Sequence, residues 1–221
     1  MRLKLLAVPF FLFASSWGPL YAVEAEVLYQ FDGKSMGFVT ASGLIKGTPR
    51  EIWSVLKEYD RQERYMPRVP ASLFISSEGV EAISTAGTKN AYRLEQIARR
   101  YRVGFMGQQG GSKWEGTGFG IADLPFPAED RWAVFDLTND ETQSSRSIFK
   151  QCWQSRFGNI NRDRGCWLIQ PSENPAVSLV LHSREVDVAG HIPGWVARIG
   201  MYHSVKKMYD NLEKEVVSFS R

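Results

Sequence analysis

Alternating apolar and polar positions mark the beginning of the pattern. From about Glu26 to Ile45 they read as a strand-like stretch with polar interruptions, and Lys46-Gly47 turns the chain. Thr48-Pro49-Arg50-Glu51 is then a helix N-terminus, with Thr48 as N-cap, Pro49 in the first helical position and Glu51 closing a capping box. The helix runs to about Tyr59 and turns Ile52, Trp53, Val55 and Leu56 toward a core. Asp60 is expected to cap a second short helix. Pro67 ends that helix, because the residue before a proline is pushed out of the helical region.

From Val69 to about His182 the pattern predicts strands and turns, with breaks at Ser77-Glu78-Gly79, Ala86-Gly87-Thr88, Gly107–Gly111, Leu124–Asp130, Thr138–Thr142, Gly158–Arg164 and Pro171–Pro175. Such a series implies a meandering antiparallel sheet. Past Gly190 and Pro193 one helical pattern runs from Trp195 to Val217. Trp195, Ile199, Tyr202, Val205, Tyr209, Leu212 and Val216 recur on one face, and Lys206, Lys207, Asp210, Glu213 and Lys214 populate the other. At 1.5 Å per residue this helix is roughly 35 Å long and covers much of a sheet face. The order of elements predicts an α+β fold in which the sheet curls around the last helix.

The first residues follow a different logic. Arg2 and Lys4 precede the apolar run Leu5–Phe13, and Leu20-Tyr21-Ala22 ends in a small residue, so Met1–Ala22 reads as a signal peptide and residues 23–221 as one domain. Cleavage after Ala25 and retention as an uncleaved anchor are the alternatives. The chain carries 27 basic and 24 acidic residues; the segment removed holds two bases and no acid, which leaves 25 against 24, a net charge of +1. That balance, with acids and bases interspersed, excludes the basic footprint of a nucleic-acid binder. The local run Arg99-Arg100-Tyr101-Arg102 reads as a solvated strand end, with an anionic-surface patch as the alternative.

An exported chain matures in an oxidising compartment. Its two cysteines, Cys152 and Cys166, fall in consecutive strands, Arg146–Phe157 and Gly165–Gln170, and are expected to form a structural disulfide across a hairpin. Their spacing is not that of a CxxC redox site, and two cysteines make a poor zinc site.

Several segments resemble the START-like domains of the SRPBCC superfamily. They are Gly43-Leu44-Ile45, Thr48-Pro49-Arg50-Glu51-Ile52-Trp53-Ser54-Val55-Leu56, Tyr59-Asp60-Arg61 and Tyr65-Met66-Pro67, then Leu124-Pro125-Phe126-Pro127 leading to Asp130-Arg131-Trp132, Gly165-Cys166-Trp167, and Ile192-Pro193-Gly194-Trp195. The resemblance spans about Ala41 to Val217. It implies a helix-grip fold: a curved antiparallel sheet around a long C-terminal helix, with two short helices after the first strand, enclosing a cavity for lipids, sterols, quinones or polyketides. A minority of such domains are cyclases, hydrolases or oxygenase domains, so the fold does not decide the activity.

Trp114, Phe119, Trp132, Phe135, Trp153, Trp167, Trp195, Ile199 and Tyr202 are the expected cavity walls, against the alternative of ordinary core packing. Arg131 and His203 are the candidate polar groups. Asp130-Arg131 reads as a buried pair that either positions a head group or closes the loop after Pro127. The expected partner is a lipid or other apolar small molecule, with transient membrane contact and a monomeric chain; no cofactor is expected.

Catalytic patterns fare less well. Gly33-Lys34-Ser35-Met36-Gly37 matches G-x-S-x-G, but a nucleophile elbow is followed by a helix and Phe38–Ile45 reads as strand. His182, His191 and His203 share no metal-ligand spacing, and His182 is expected to point outward from the last strand. On a cyclase or dehydratase of this fold, His203 and Asp187 are the first candidates for acid–base work. Gly116-Thr117-Gly118-Phe119-Gly120 has no following helix for a phosphate loop and predicts a bulge or bend.

Overall fold

In the computed structural model the described backbone comprises residues 26–31, 36–104, 112–124, 129–187 and 194–219, with side chains over 37–104, 112–124, 129–187 and 204–219. Strands β1 (Glu26–Phe31) and β2 (Met36–Lys46) precede helices α1 (Pro49–Leu56) and α2 (Gln62–Tyr65), joined by a 3-10 turn at Tyr59–Arg61. Then come β3 (Ala71–Phe74), α3 (Ser77–Ser84), α4 (Ala91–Arg100), β4 (Lys113–Ala122), β5 (Arg131–Asp140), β6 (Phe149–Gly158), β7 (Arg162–Pro171), β8 (Val177–Asp187) and α5 (Gly194–Phe219). The strands form one antiparallel sheet in the order β1-β2-β8-β7-β6-β5-β4-β3. Strands β4 to β8 are a meander, β3 is separated from β4 by α3 and α4, and β2 pairs with β8 across most of the chain. The α+β architecture, the antiparallel meander and the long last helix are as the sequence predicts.

The capping box forms as expected: the Glu51 N–H donates to Thr48 Oγ1 at 3.3 Å, and Glu51 Oε2 accepts from the Thr48 N–H at 2.7 Å. Helix α1 buries Ile52, Trp53, Val55 and Leu56. The Trp53 indole donates to Glu141 Oε1 at 2.7 Å, which satisfies a carboxylate that is itself buried. Along α5, Val205, Met208, Tyr209, Leu212 and Val216 are buried against β2, β7 and β8 in one core cluster. Each of these side chains contributes roughly 1.5–3 kcal/mol by leaving water. The Tyr209 hydroxyl lies 3.1 Å from the Ala41 carbonyl and 3.0 Å from that of Val180, so its proton ties the helix to the β2–β8 seam.

Four expectations need correction. Glu26–Ile45 is a hairpin of two strands, not one stretch. Asp60 caps nothing: it lies within the 3-10 turn, where its carboxylate accepts from the Phe74 N–H and from Arg102 Nε, both at 2.6 Å. The stretch from Val69 to His182 is not all strand, because Ser77–Ser84 and Ala91–Arg100 are helices. Ser76 and Asn90 are their N-caps, accepting from Gly79 N–H at 3.3 Å and Arg93 N–H at 3.0 Å, and Ala91, Leu94 and Ala98 form the buried stripe of α4. Ser77-Glu78-Gly79 is thus the first turn of a helix rather than a break. The run Arg99-Arg100 closes a helix, where cations meet the negative end of the helix dipole, and is not a strand end.

The β4 glycines also act otherwise than expected. The register irregularity lies instead between β5 and β6, where Val134 pairs with Phe157 and Phe135 with Ser155, leaving Arg156 of β6 as the extra residue. A Cβ on Gly118 would come within 2.7 Å of the Tyr59 ring, and one on Gly120 within 2.9 Å of its hydroxyl, so the missing side chains let Tyr59 lie against β4. Gly37 belongs to β2, so a strand and not a helix follows the G-x-S-x-G match; residues 33–35 lie outside the described residues.

Candidate functional site

Strand register builds the site on the inner face of the sheet. Trp153, Gly165 and Arg184 face one another across β6, β7 and β8, and the next inward row is Gln151, Trp167 and His182, with Ala41 beyond on β2. Period-two alternation puts Val180, His182 and Arg184 on one face of β8, and Asp163, Gly165 and Trp167 on the same face of β7.

Gly165 is what allows these side chains to converge. A Cβ there would meet the Trp153 indole at 2.5 Å, so the indole lies directly over the glycine. Trp153 Nε1 donates to Asp163 Oδ1 at 3.0 Å and its ring stacks on His182 with centroids 5.6 Å apart. Arg184 forks onto the same carboxylate, Nε to Oδ1 at 2.9 Å and Nη2 to Oδ2 at 2.5 Å. The Asp163 side chain is 4% exposed and that of Arg184 28%. Trp167 packs against His182 at 4.3 Å and Tyr209 at 6.1 Å.

Burial sets the electrostatics. It pushes the Tyr59 phenol well above its usual range, reinforced by the negative charge of Asp163, and lowers His182 to about 3, reinforced by the Arg184 cation. Burial also opposes the charge on Arg184, but Asp163 outweighs it through attraction and hydrogen bonds and holds the guanidinium above its ordinary value.

A cavity of about 60 Å³ opens beside this cluster, with Tyr59, Met66, Trp132, Phe135, Trp153 and Trp167 among its walls and Arg131, Asp163 and Arg184 as its charged groups. A larger concavity, about 510 Å³, lies on the opposite face of the sheet over Phe38, Asp136, Arg164, Glu185 and the two cysteines. It is an open trough crossed by the Arg164–Glu185 ion pair, 2.5 Å, so the smaller space is the better candidate for enclosing an apolar molecule.

Of the expected wall residues, Trp132, Phe135, Trp153 and Trp167 meet at the cavity, as does Arg131, which donates to the Glu129 carbonyl at 3.1 Å. Asp130 accepts from the Leu124 N–H at 3.4 Å. Phe119 sits instead in the core beneath α3 and α4, 6.4 Å from Trp132, and Trp114 packs on Phe74 at 6.2 Å. Trp195, Ile199, Tyr202, His203 and His191 lie outside the described side chains. Asp187 holds the β6–β7 turn, its carbonyl accepting from the Asn161 N–H at 3.0 Å and its carboxylate from Asn161 Nδ2 at 3.3 Å.

Cys152 and Cys166 are direct cross-strand partners joined by a disulfide. His182 is corrected: it points inward and is 2% exposed. Sequence reading missed Tyr59, Asp163 and Arg184 as site residues, although the alternation from Val180 places Arg184 beside His182 on the inner face. Among the described residues no cluster of three or more His, Cys, Asp or Glu is arranged to hold a metal, and no helix is long and apolar enough to cross a membrane.

No family model and no curated protein matches the sequence. Solved structures do match the fold. A STAR-related lipid transfer protein from Xanthomonas axonopodis superposes with a TM-score of 0.60 at 13% identity, over 90% of this chain and 96% of that one. Human StAR-related lipid transfer protein 5 gives 0.59 at 12% identity, over 89% and 88%. An aromatase/cyclase from Streptomyces sp. R1128 gives 0.52 at 9% identity, over 84% and 96%. At these identities the likeness is one of fold, and it carries transfer proteins and a cyclase alike. The chain has the START-like, helix-grip fold.

Proposed function

We propose that this chain binds, and carries, an apolar small molecule or lipid on the inner face of its sheet. The observation that supports this best is the cavity wall: five large aromatic side chains, Tyr59, Trp132, Phe135, Trp153 and Trp167, with the Asp163–Arg184 ion pair and Arg131 as its charged groups. Asp163 already accepts three hydrogen bonds, two from Arg184 and one from Trp153, which suits a recognition group better than a free general base. A polyketide cyclase/dehydrase-type reaction on the same fold is the alternative that turnover assays address. Export to the periplasm or beyond, by removal of Met1–Ala22, belongs to this proposal and is supported by the disulfide. So do a monomeric state and transient contact with a membrane during loading.

At about 60 Å³ the cavity holds only about two waters at their liquid volume, and pockets for small molecules run to roughly 300–1,000 Å³. Loading therefore has to part the walls. The same volume favours a second reading, an envelope interaction protein with a filled interior, for which the exposed Phe38 and Leu44 on the outer face of β2 are the contact candidates. Titration with the apolar dye N-phenyl-1-naphthylamine separates the two. Saturable one-to-one uptake, with quenching of tryptophan emission, is expected of a binder; uptake that never saturates contradicts the binding function.

A further inference from the structure

The inner face holds a buried imidazole whose hydrogen-bonding capacity the fold leaves unused. His182 packs on Trp153 and Trp167, and neither ring nitrogen has a hydrogen-bond partner among the described residues. Buried polar groups are nearly always partnered, and an orphaned one gives up its hydration for nothing in return. Donors in the neighbouring rows are already used: Gln151, in the same row, gives its amide hydrogens to the Leu56 carbonyl and Asn139 Oδ1, and Arg184 is forked onto Asp163. Trp153, Trp167 and Arg184, the residues around this imidazole, are themselves cavity walls; His182 is not, and lies behind them, where the parting of those walls on loading would bring it to the ligand.

We propose that His182 is a ligand-contacting residue that exchanges hydrogen bonds with an uncharged hydroxyl or carbonyl group of the bound molecule, so that the cavity selects neutral, oxygen-bearing lipids over carboxylates and phosphates. The inference rests on the binding function proposed above and adds the chemical class of the ligand's polar end. Its second half follows from charge balance. The Arg184 cation is matched by Asp163, and a further anion here would face that carboxylate in a medium of low dielectric. Arg162 and Arg164 are paired with Glu185 on the other face of the sheet, and Arg131, the cavity's other cation, is on β5, not among the residues around His182, and donates to the Glu129 carbonyl. An imidazole lowered to about 3 offers no compensating positive charge near neutral pH.

Displacement of N-phenyl-1-naphthylamine by 1-dodecanol and by dodecanoate, which have chains of equal length, tests this on the full exported protein. Wild type is expected to bind the alcohol about tenfold more tightly than the carboxylate, the worth of one buried hydrogen bond. His182→Phe should lose that factor for the alcohol and leave the carboxylate unchanged, while His182→Asn, which keeps a donor and an acceptor, should retain most of it. Equal or tighter binding of dodecanoate overturns the proposal, as does an unaltered affinity of His182→Phe for the alcohol. If the dye itself is not taken up saturably, the binding function fails with it; if the dye binds but neither chain displaces it, or both bind without preference, only the role of His182 fails. Should His182→Phe not fold, the wild-type ratio and the Asn variant still decide.

Discussion

The indole of Trp153 lies over the bare backbone of Gly165, so close that a Cβ on the glycine would stand 2.5 Å from the ring and 2.2 Å from the Ser183 carbonyl. The second contact is with backbone and has no flexible end to yield. Gly165→Ala is therefore expected to destabilise by about 1–3 kcal/mol through overpacking, and to lower the melting temperature by about 2–4 °C per kcal/mol. Because Trp153 must shift, the variant should also lose dye uptake. Thermal melts and dye titration check both, and a Gly165→Ala protein that melts and binds as wild type contradicts this placement of Trp153.

The Asp163–Arg184 pair is predicted to matter more when half of it is removed than when both halves go. Asp163→Asn leaves a guanidinium without its counter-charge. The expected loss is about 2–4 kcal/mol, somewhat under the cost of breaking a fully buried pair because Arg184 is 28% exposed. Asp163→Leu with Arg184→Met should recover much of that loss. Urea unfolding of the three proteins measures it; a double variant as unstable as the sum of its parts would falsify the compensation.

Acid should find His182. Its folded value, about 3, lies below the ordinary 6.5, so the native state prefers the neutral ring and only the unfolded chain takes up the proton as pH falls. Above pH 6.5 the residue has no effect on stability; below it stability drops, by at most about 1.4 kcal/mol per pH unit, until the folded value is reached. Between pH 6.5 and about 5, before most carboxylates titrate, the urea midpoint of wild type should fall and that of His182→Asn should stay level. Parallel curves would show that the imidazole is not buried neutral.

The Cys152–Cys166 bond closes a short loop of sequence separation 14, and the chain-entropy model assigns such a loop about 3 kcal/mol. Unreduced protein should show no reactive thiol, and reductant should lower its denaturant midpoint by a corresponding amount. Two reactive thiols in the untreated protein contradict the disulfide.

How far the sequence speaks depends on whether the signal is local. The Thr48–Glu51 capping box, the apolar stripe of α5 from Val205 to Val216 and the cysteine pair across β6 and β7 are each decided within a few residues, and all three appear as expected. Helices α3 and α4 were legible too, through the Ser76 and Asn90 caps and the buried Ala91, Leu94 and Ala98, but Gly79 and Gly87 read as strand breaks and hid them. The site was harder. Trp132, Phe135, Trp153 and Trp167 are conspicuous, whereas Asp163, Arg184 and His182 face inward only because β6, β7 and β8 pair in one register. A shift of one residue would turn all three outward. Tyr59 reaches the cavity because β4 offers it Gly118 and Gly120, a relationship between segments far apart in the chain.

Native mass spectrometry of the protein as purified, followed by organic extraction, tests the central claim most directly. The account predicts a stoichiometric apolar adduct whose extracted molecule carries an uncharged hydroxyl or carbonyl group. A bare protein mass that stays bare after incubation with dodecanol and with the dye would contradict it.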